Sequence, residues 1–121
     1  MMPSPAHVFV YGTLRRGGSN HFRMEKARFV AVGAVKGMLY QIDWYPGLVL
    51  KADAGVITGE VYHASPEDLR ELDLFEGAGY RRLQTQVGLP DGEILSAWIW
   101  EWLGPVDESR RITGGDWLAR Q

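Results

Sequence analysis

Hydrophobic positions along the chain fall in short runs, each rich in β-branched and aromatic residues and bounded by glycine-bearing turns. That is the pattern of strands. Five runs stand out: His7–Tyr11, Phe29–Tyr40, Gly55–His63, Tyr80–Val87 and Glu93–Trp102. The second is long for one strand, so Gly33 or Gly37 is expected to mark a bulge or bend. Leu89-Pro90-Asp91-Gly92 separates the last two runs with residues that preset turn angles, which predicts an antiparallel pair. Within the last run Trp98, Trp100 and Trp102 alternate, defining one apolar face turned to the core or to a partner.

One helix is signalled at both ends. Ser65 can cap it, Pro66 suits the first helical position, and Asp68 stands where a capping-box acid belongs. Leu69, Leu72 and Phe75 recur at helical spacing, and Gly77 is placed to stop the helix. A weaker helical segment runs from about Ser19 to Ala27, and Asp116–Gln121 fits neither pattern. Five strands with one or two helices predict an α+β fold with a curved or closed sheet.

Composition narrows the function by exclusion. The 121 residues hold no repeat or linker, so a single domain over 1–121 is expected. A chain of this size can bury a core without metal or disulfide staples. It has no cysteine, which removes thiol catalysis and cysteine-based zinc sites. A net charge of −2 argues against a nucleic-acid partner. The start MMPSPAH lacks a signal-peptide pattern, and the most continuous apolar stretch, Phe29 to Val35, is far shorter than the roughly 20 residues of a membrane span. The expectation is a cytoplasmic monomer or homodimer with no membrane contact. His7, His21 and His63 are too scattered for a metal-ligand pattern, and Ser19 with His21 matches no nucleophile–base signature. No metal or cofactor is expected.

Two features carry candidate chemistry. Leu69, Leu72 and Glu76 stand at i, i+3 and i+7, so the apolar helix stripe ends in a carboxylate aimed at the core or a cavity beside it. A buried carboxylate needs a partner, a wet pocket or a raised pKa, and the last suits a general acid/base. The plain alternative is a salt bridge from Arg81 to Glu76 or to Asp73, which flanks the same face. Asp73 and Glu76 are too close on one helix to flank a sugar bond as a glycosidase pair. The second feature is Gly12-Thr13-Leu14-Arg15-Arg16-Gly17-Gly18-Ser19-Asn20, which follows the first strand. Backbone N–H groups in such a turn can cradle an anion, and Arg15 and Arg16 add positive charge. The turn matches neither the Walker nor the dinucleotide pattern, so ATP and NAD are unsupported. Gly17-Gly18 reads as a flexible surface turn.

Three motifs then occur in order: Tyr11-Gly12-Thr13-Leu14, Gly59-Glu60-Val61-Tyr62, and Leu72-Asp73-x-x-Glu76-Gly77-x-x-Tyr80-x-Arg82, with Tyr45-Pro46-Gly47 between the first two. In these the sequence resembles the γ-glutamylcyclotransferase-like family over roughly His7 to Trp102. The resemblance implies a small mixed β-barrel of five to six strands with flanking helices. It implies that Glu76 is the catalytic acid/base, and that the loop of Tyr11, Gly12, Thr13 and Leu14 binds a small-molecule γ-glutamyl substrate; the charge of Arg15 beside that loop makes it a binding candidate too. Tyr45, Tyr80 and Arg82 are further substrate-binding candidates, with Arg81 the alternative to Arg82. Tyr40 and the alternating tryptophans could wall the pocket. The implied reaction is intramolecular cyclisation to 5-oxoproline. A non-catalytic binding domain of the same fold, and an interaction module using the tryptophan strand, are the competing readings.

Overall fold

The computed structural model describes residues 6–120. Its elements are β1 (Ala6–Val10), β2 (Arg28–Gln41), β3 (Pro46–Leu50), β4 (Val56–Ala64), α1 (Pro66–Glu76), β5 (Tyr80–Gly88) and β6 (Ile94–Trp102). The strands lie in the order β3-β2-β4-β1-β6-β5, and a further pairing of β2 with β5 closes five of them into a barrel. β1 is antiparallel to β4 and parallel to β6, which makes the sheet mixed. Closure removes the free edges that an open sheet would present. β3 hangs outside the ring, paired with the Gly37–Gln41 half of β2.

β1 shows why its run is apolar without a break from Val8 to Val10. Phe9 points into the barrel, while Val8 and Val10 point outward under α1 and the loop that follows β1. Both faces of the strand are therefore covered, as in a core strand. The barrel interior is filled by Phe9, Val35, Leu39, Leu48, Ile57, Val61, Val87, Ala97 and Ile99, with Trp117 from the C-terminal segment. A second apolar layer joins Val8, Val10, Tyr62 and Trp100 to Leu14, Met24 and Leu72.

Three expectations need correction. The bulge of β2 lies at Val30, because Phe29 pairs with Tyr62 and Ala31 with the adjacent Val61. Gly33 and Gly37 serve close approach instead: a Cβ would fall 2.6 Å from Val87 Cγ1 and 2.6 Å from the Val49 carbonyl oxygen, respectively. The Ser19–Ala27 helix shrinks to a 3₁₀ turn at His21–Met24, and the C-terminal segment forms another at Trp117–Ala119, with Gln121 outside the described residues. β3 is a strand that the five runs do not include, since it starts at Pro46-Gly47 and gains its ladder only from β2.

The capped helix and the β5–β6 hairpin form as expected. Ser65 Oγ accepts from the Asp68 amide at 3.0 Å, and the Ser65 amide donates back to Asp68 Oδ2 at 3.3 Å. Leu89 N donates to the Glu93 carbonyl, and Gly92 sits at φ +91°. The tail of α1 is tied to the sheet through Asp73, which accepts from Arg82 Nε at 2.9 Å and from Trp100 Nε1 at 2.8 Å. That anchor fixes where the next turn of the helix points.

Candidate active site

The loop after β1 is held from three sides. Tyr11 donates its hydroxyl to the Trp100 carbonyl at 2.7 Å and accepts from the Leu48 amide at 3.3 Å, so one ring joins β1 to β6 and β3. Gly12 presses against the Tyr45–Gly47 turn, where a Cβ would lie 2.5 Å from Pro46 Cγ. Thr13 accepts from Asn20 twice, at its hydroxyl (3.2 Å) and at its carbonyl (2.9 Å). Among the described residues, the amides of Gly12, Thr13 and Leu14 donate to no protein acceptor. The Gly17-Gly18 turn is not loose: Gly17 has φ +87°, and a Cβ on Gly18 would lie 2.3 Å from the Thr13 carbonyl oxygen.

These residues form one side of a cavity of about 350 Å³, also lined by Trp44, Tyr45, Phe75, Glu76, Gly79, Tyr80, Trp100 and Trp102. Glu76 is the single carboxylate in that lining, which contains no lysine, arginine or histidine. It is half-buried, and among the described residues nothing donates a hydrogen bond or a cation to it. Loss of hydration raises its pKa from 4.5 to about 7. Its place at the last residue of α1 acts in the same direction, because carbonyl dipoles there disfavour negative charge. Burial, with Glu76 and a second tyrosine nearby, also raises the pKa values of Tyr11 and Tyr80, so both hydroxyls stay protonated at neutral pH.

Tyr11, Gly12, Thr13, Leu14, Tyr45, Tyr80 and Glu76 are thus gathered around one space. Tyr80 lines it, with its hydroxyl committed to the Pro46 carbonyl at 2.7 Å rather than to Glu76. Two anticipated binding residues do not reach the lining. Arg15 is buried between Glu60 (3.3 Å) and Asp116 (2.6 Å), and Arg82 pairs with Asp73 under a face contact with Trp98. Arg81 pairs with Glu101 at 3.0 Å, so the rival salt bridge to Glu76 does not form. Tyr40 donates to Glu108 at 2.6 Å, away from the cavity.

Glu60 had a motif but no assigned role in the sequence. It accepts from Arg15, from the Arg16 amide (2.9 Å) and from the Tyr62 hydroxyl (2.9 Å), and so clamps the loop to β4. Trp44 also went unnoticed, though its place beside the Tyr-Pro-Gly turn was a usable signal. His7 and His63, scattered in sequence, meet across β1 and β4 with Nε2 atoms 2.7 Å apart. No group of three or more metal-ligating side chains forms among the described residues. No helix among them is long and apolar enough to cross a membrane. Trp100 is buried under α1, Trp98 packs beside it and Trp102 walls the cavity, so the exposed tryptophan face needed by an interaction module is not present among them.

A carboxylate-bearing apolar cavity on a closed mixed barrel is matched in sequence as well. The sequence model described as Gamma-glutamyl cyclotransferase, AIG2-like covers residues 8–119. The chain belongs to this family. Gamma-glutamylcyclotransferase family protein YtfP of Escherichia coli strain K12 is 34% identical over 114 residues, spanning 93% of this chain and 96% of that protein. The crystal structure of an AIG2-like protein from Mus musculus matches with a TM-score of 0.77 at 28% identity, over 98% of this chain and 86% of the mouse chain. YkqA from Bacillus subtilis gives a TM-score of 0.79 at 30% identity over 93% of this chain, which spans only 39% of YkqA. Membership of the γ-glutamyl cyclotransferase family supports a cyclotransferase-type activity on a small-molecule γ-glutamyl substrate.

Proposed function

We propose that the protein is an enzyme that releases 5-oxoproline and a free amine from a γ-glutamyl amine or peptide, with Glu76 as the sole general acid/base. The reaction needs no external nucleophile. The substrate's own α-amine attacks its γ-carbonyl, a five-membered ring closes, and the C–N bond to the leaving amine breaks. Two proton transfers limit this chemistry: the α-ammonium must lose a proton before attack, and the leaving nitrogen must gain one before departure. A single carboxyl between the two nitrogens does both, and a pKa of about 7 gives it a working population of each form at neutral pH. Such proton transfer contributes roughly 10²–10⁴-fold in rate.

The unspent amides of Gly12, Thr13 and Leu14 are suited to the substrate's α-carboxylate and to the oxyanion that develops at the γ-carbon. With the loop clamped on Glu60 and the Tyr45–Gly47 turn, they act without reorganising. The observation that carries the reading is Glu76 itself, a carboxyl without a partner in an apolar cavity. The test is turnover of a panel of γ-glutamyl amines and γ-glutamyl amino acids, following 5-oxoproline, with wild type and Glu76→Gln. Turnover by wild type and its loss in the variant are expected; equal turnover by both would remove Glu76 from the mechanism.

A further inference from the structure

The part of the cavity not used by the loop and Glu76 is a continuous aromatic wall. Trp44 packs edge-on against Tyr45 at 5.0 Å yet leaves 59% of its surface exposed. Tyr45 contacts Tyr80 at 6.4 Å and Trp102 at 6.3 Å, and Tyr80 meets Trp102 at 5.2 Å. The Trp102 indole is fixed in place. Its Nε1 donates to the Pro105 carbonyl at 3.1 Å, and glycines from three separate segments leave room for it. A Cβ on Gly47, Gly79 or Gly104 would lie 2.7, 3.0 or 2.4 Å from that ring, respectively. A rigid wall loses little freedom when something docks on it.

We propose that Trp44, Tyr45 and Trp102 form the subsite for the group that departs with the amine, and that this subsite takes a flat apolar substituent and rejects a carboxylate. The proposal rests on the Glu76 reading given above. With the glutamyl half on the loop and its γ-carbonyl facing Glu76, the amine substituent has the aromatic lining left to occupy. The electrostatics there are one-sided. Ring faces carry negative potential, Glu76 is anionic in its basic form, and no cationic side chain lines the cavity. A carboxylate on the leaving group would be desolvated with no counter-charge, whereas an aryl group would stack.

Three compounds isolate the effect: γ-glutamyl-phenethylamine, γ-glutamyl-phenylalanine, which adds only a carboxylate, and γ-glutamyl-ethylamine, which lacks the ring. The phenethylamine compound is expected to exceed each of the others in kcat/KM by about tenfold or more, mainly through KM. Its advantage over the ethylamine compound should shrink about tenfold in Trp44→Ala and be kept in Trp44→Phe. Equal kcat/KM for the three compounds, or a preference untouched by Trp44→Ala, overturns the subsite and leaves the Glu76 reading intact. Calorimetric titration of Glu76→Gln with the same compounds separates the two. If wild type turns over none of them but the phenethylamine compound still binds the variant about tenfold tighter than its carboxylated counterpart, the subsite stands and the catalytic reading falls. Absence of both binding and turnover overturns both.

Discussion

Replacing Glu76 with glutamine should make the protein more stable, and only above a definable pH. In the folded state the carboxyl titrates at about 7 instead of 4.5, chiefly because the cavity strips its hydration. The folded protein therefore holds a proton that the unfolded chain has released over that interval. Stability falls as pH rises through this window, since the unfolded state binds fewer protons there. Below pH 4.5 the group is protonated in both states and contributes nothing. Above pH 7 it is ionised in both, and the full cost of the desolvated charge is present. At roughly 1.36 kcal/mol per pH unit, the cost is about 3 kcal/mol. Glutamine keeps the shape and lacks the charge. The difference in unfolding free energy between Glu76→Gln and wild type should rise toward about 3 kcal/mol in favour of the variant between pH 4.5 and 8, or about 10 °C in melting temperature. Urea unfolding at fixed pH values across that range measures it. A flat difference, or a variant that loses ground as pH rises, would show that the carboxylate is well solvated or paired and would refute the reasoning.

Three further outcomes follow from the same geometry. Wild-type kcat/KM should climb with pH through an apparent pKa near 7, the value that burial gives Glu76, as read from initial rates of 5-oxoproline formation. Glu60→Ala would leave Arg15 with Asp116 alone and the Arg16 amide without its acceptor; a loss of about 3 kcal/mol in urea unfolding is expected. Gly12→Ala drives a Cβ into Pro46, so the loop must shift from the Tyr45–Gly47 turn; about 1–3 kcal/mol of destabilisation and a raised KM are expected, by urea unfolding and steady-state kinetics.

The features the chain declares by itself are those written in neighbouring residues. Ser65, Pro66 and Asp68 specify where α1 starts, because the cap closes within four residues. Leu89 to Gly92 specify a hairpin because proline and glycine fix the turn locally, and the motifs around Tyr11, Glu60 and Glu76 carry the family resemblance. What tertiary structure decided is partnership. Arg81 and Arg82 are equivalent in sequence, but strand parity sends Arg82 to the outer face against Asp73 of α1 and Arg81 to Glu101 on β6. Neither is left for Glu76. Arg15 reads as a ligand-binding cation until β4 and the C-terminal segment bring Glu60 and Asp116 to it from the middle and the far end of the chain. β3 has no ladder of its own until β2 supplies one, and the aromatic wall requires Tyr45 and Trp102 to meet beside Gly47. The helix pattern could aim Glu76 inward. Its raised pKa depended on which side chains failed to arrive, and only the closed barrel settles that.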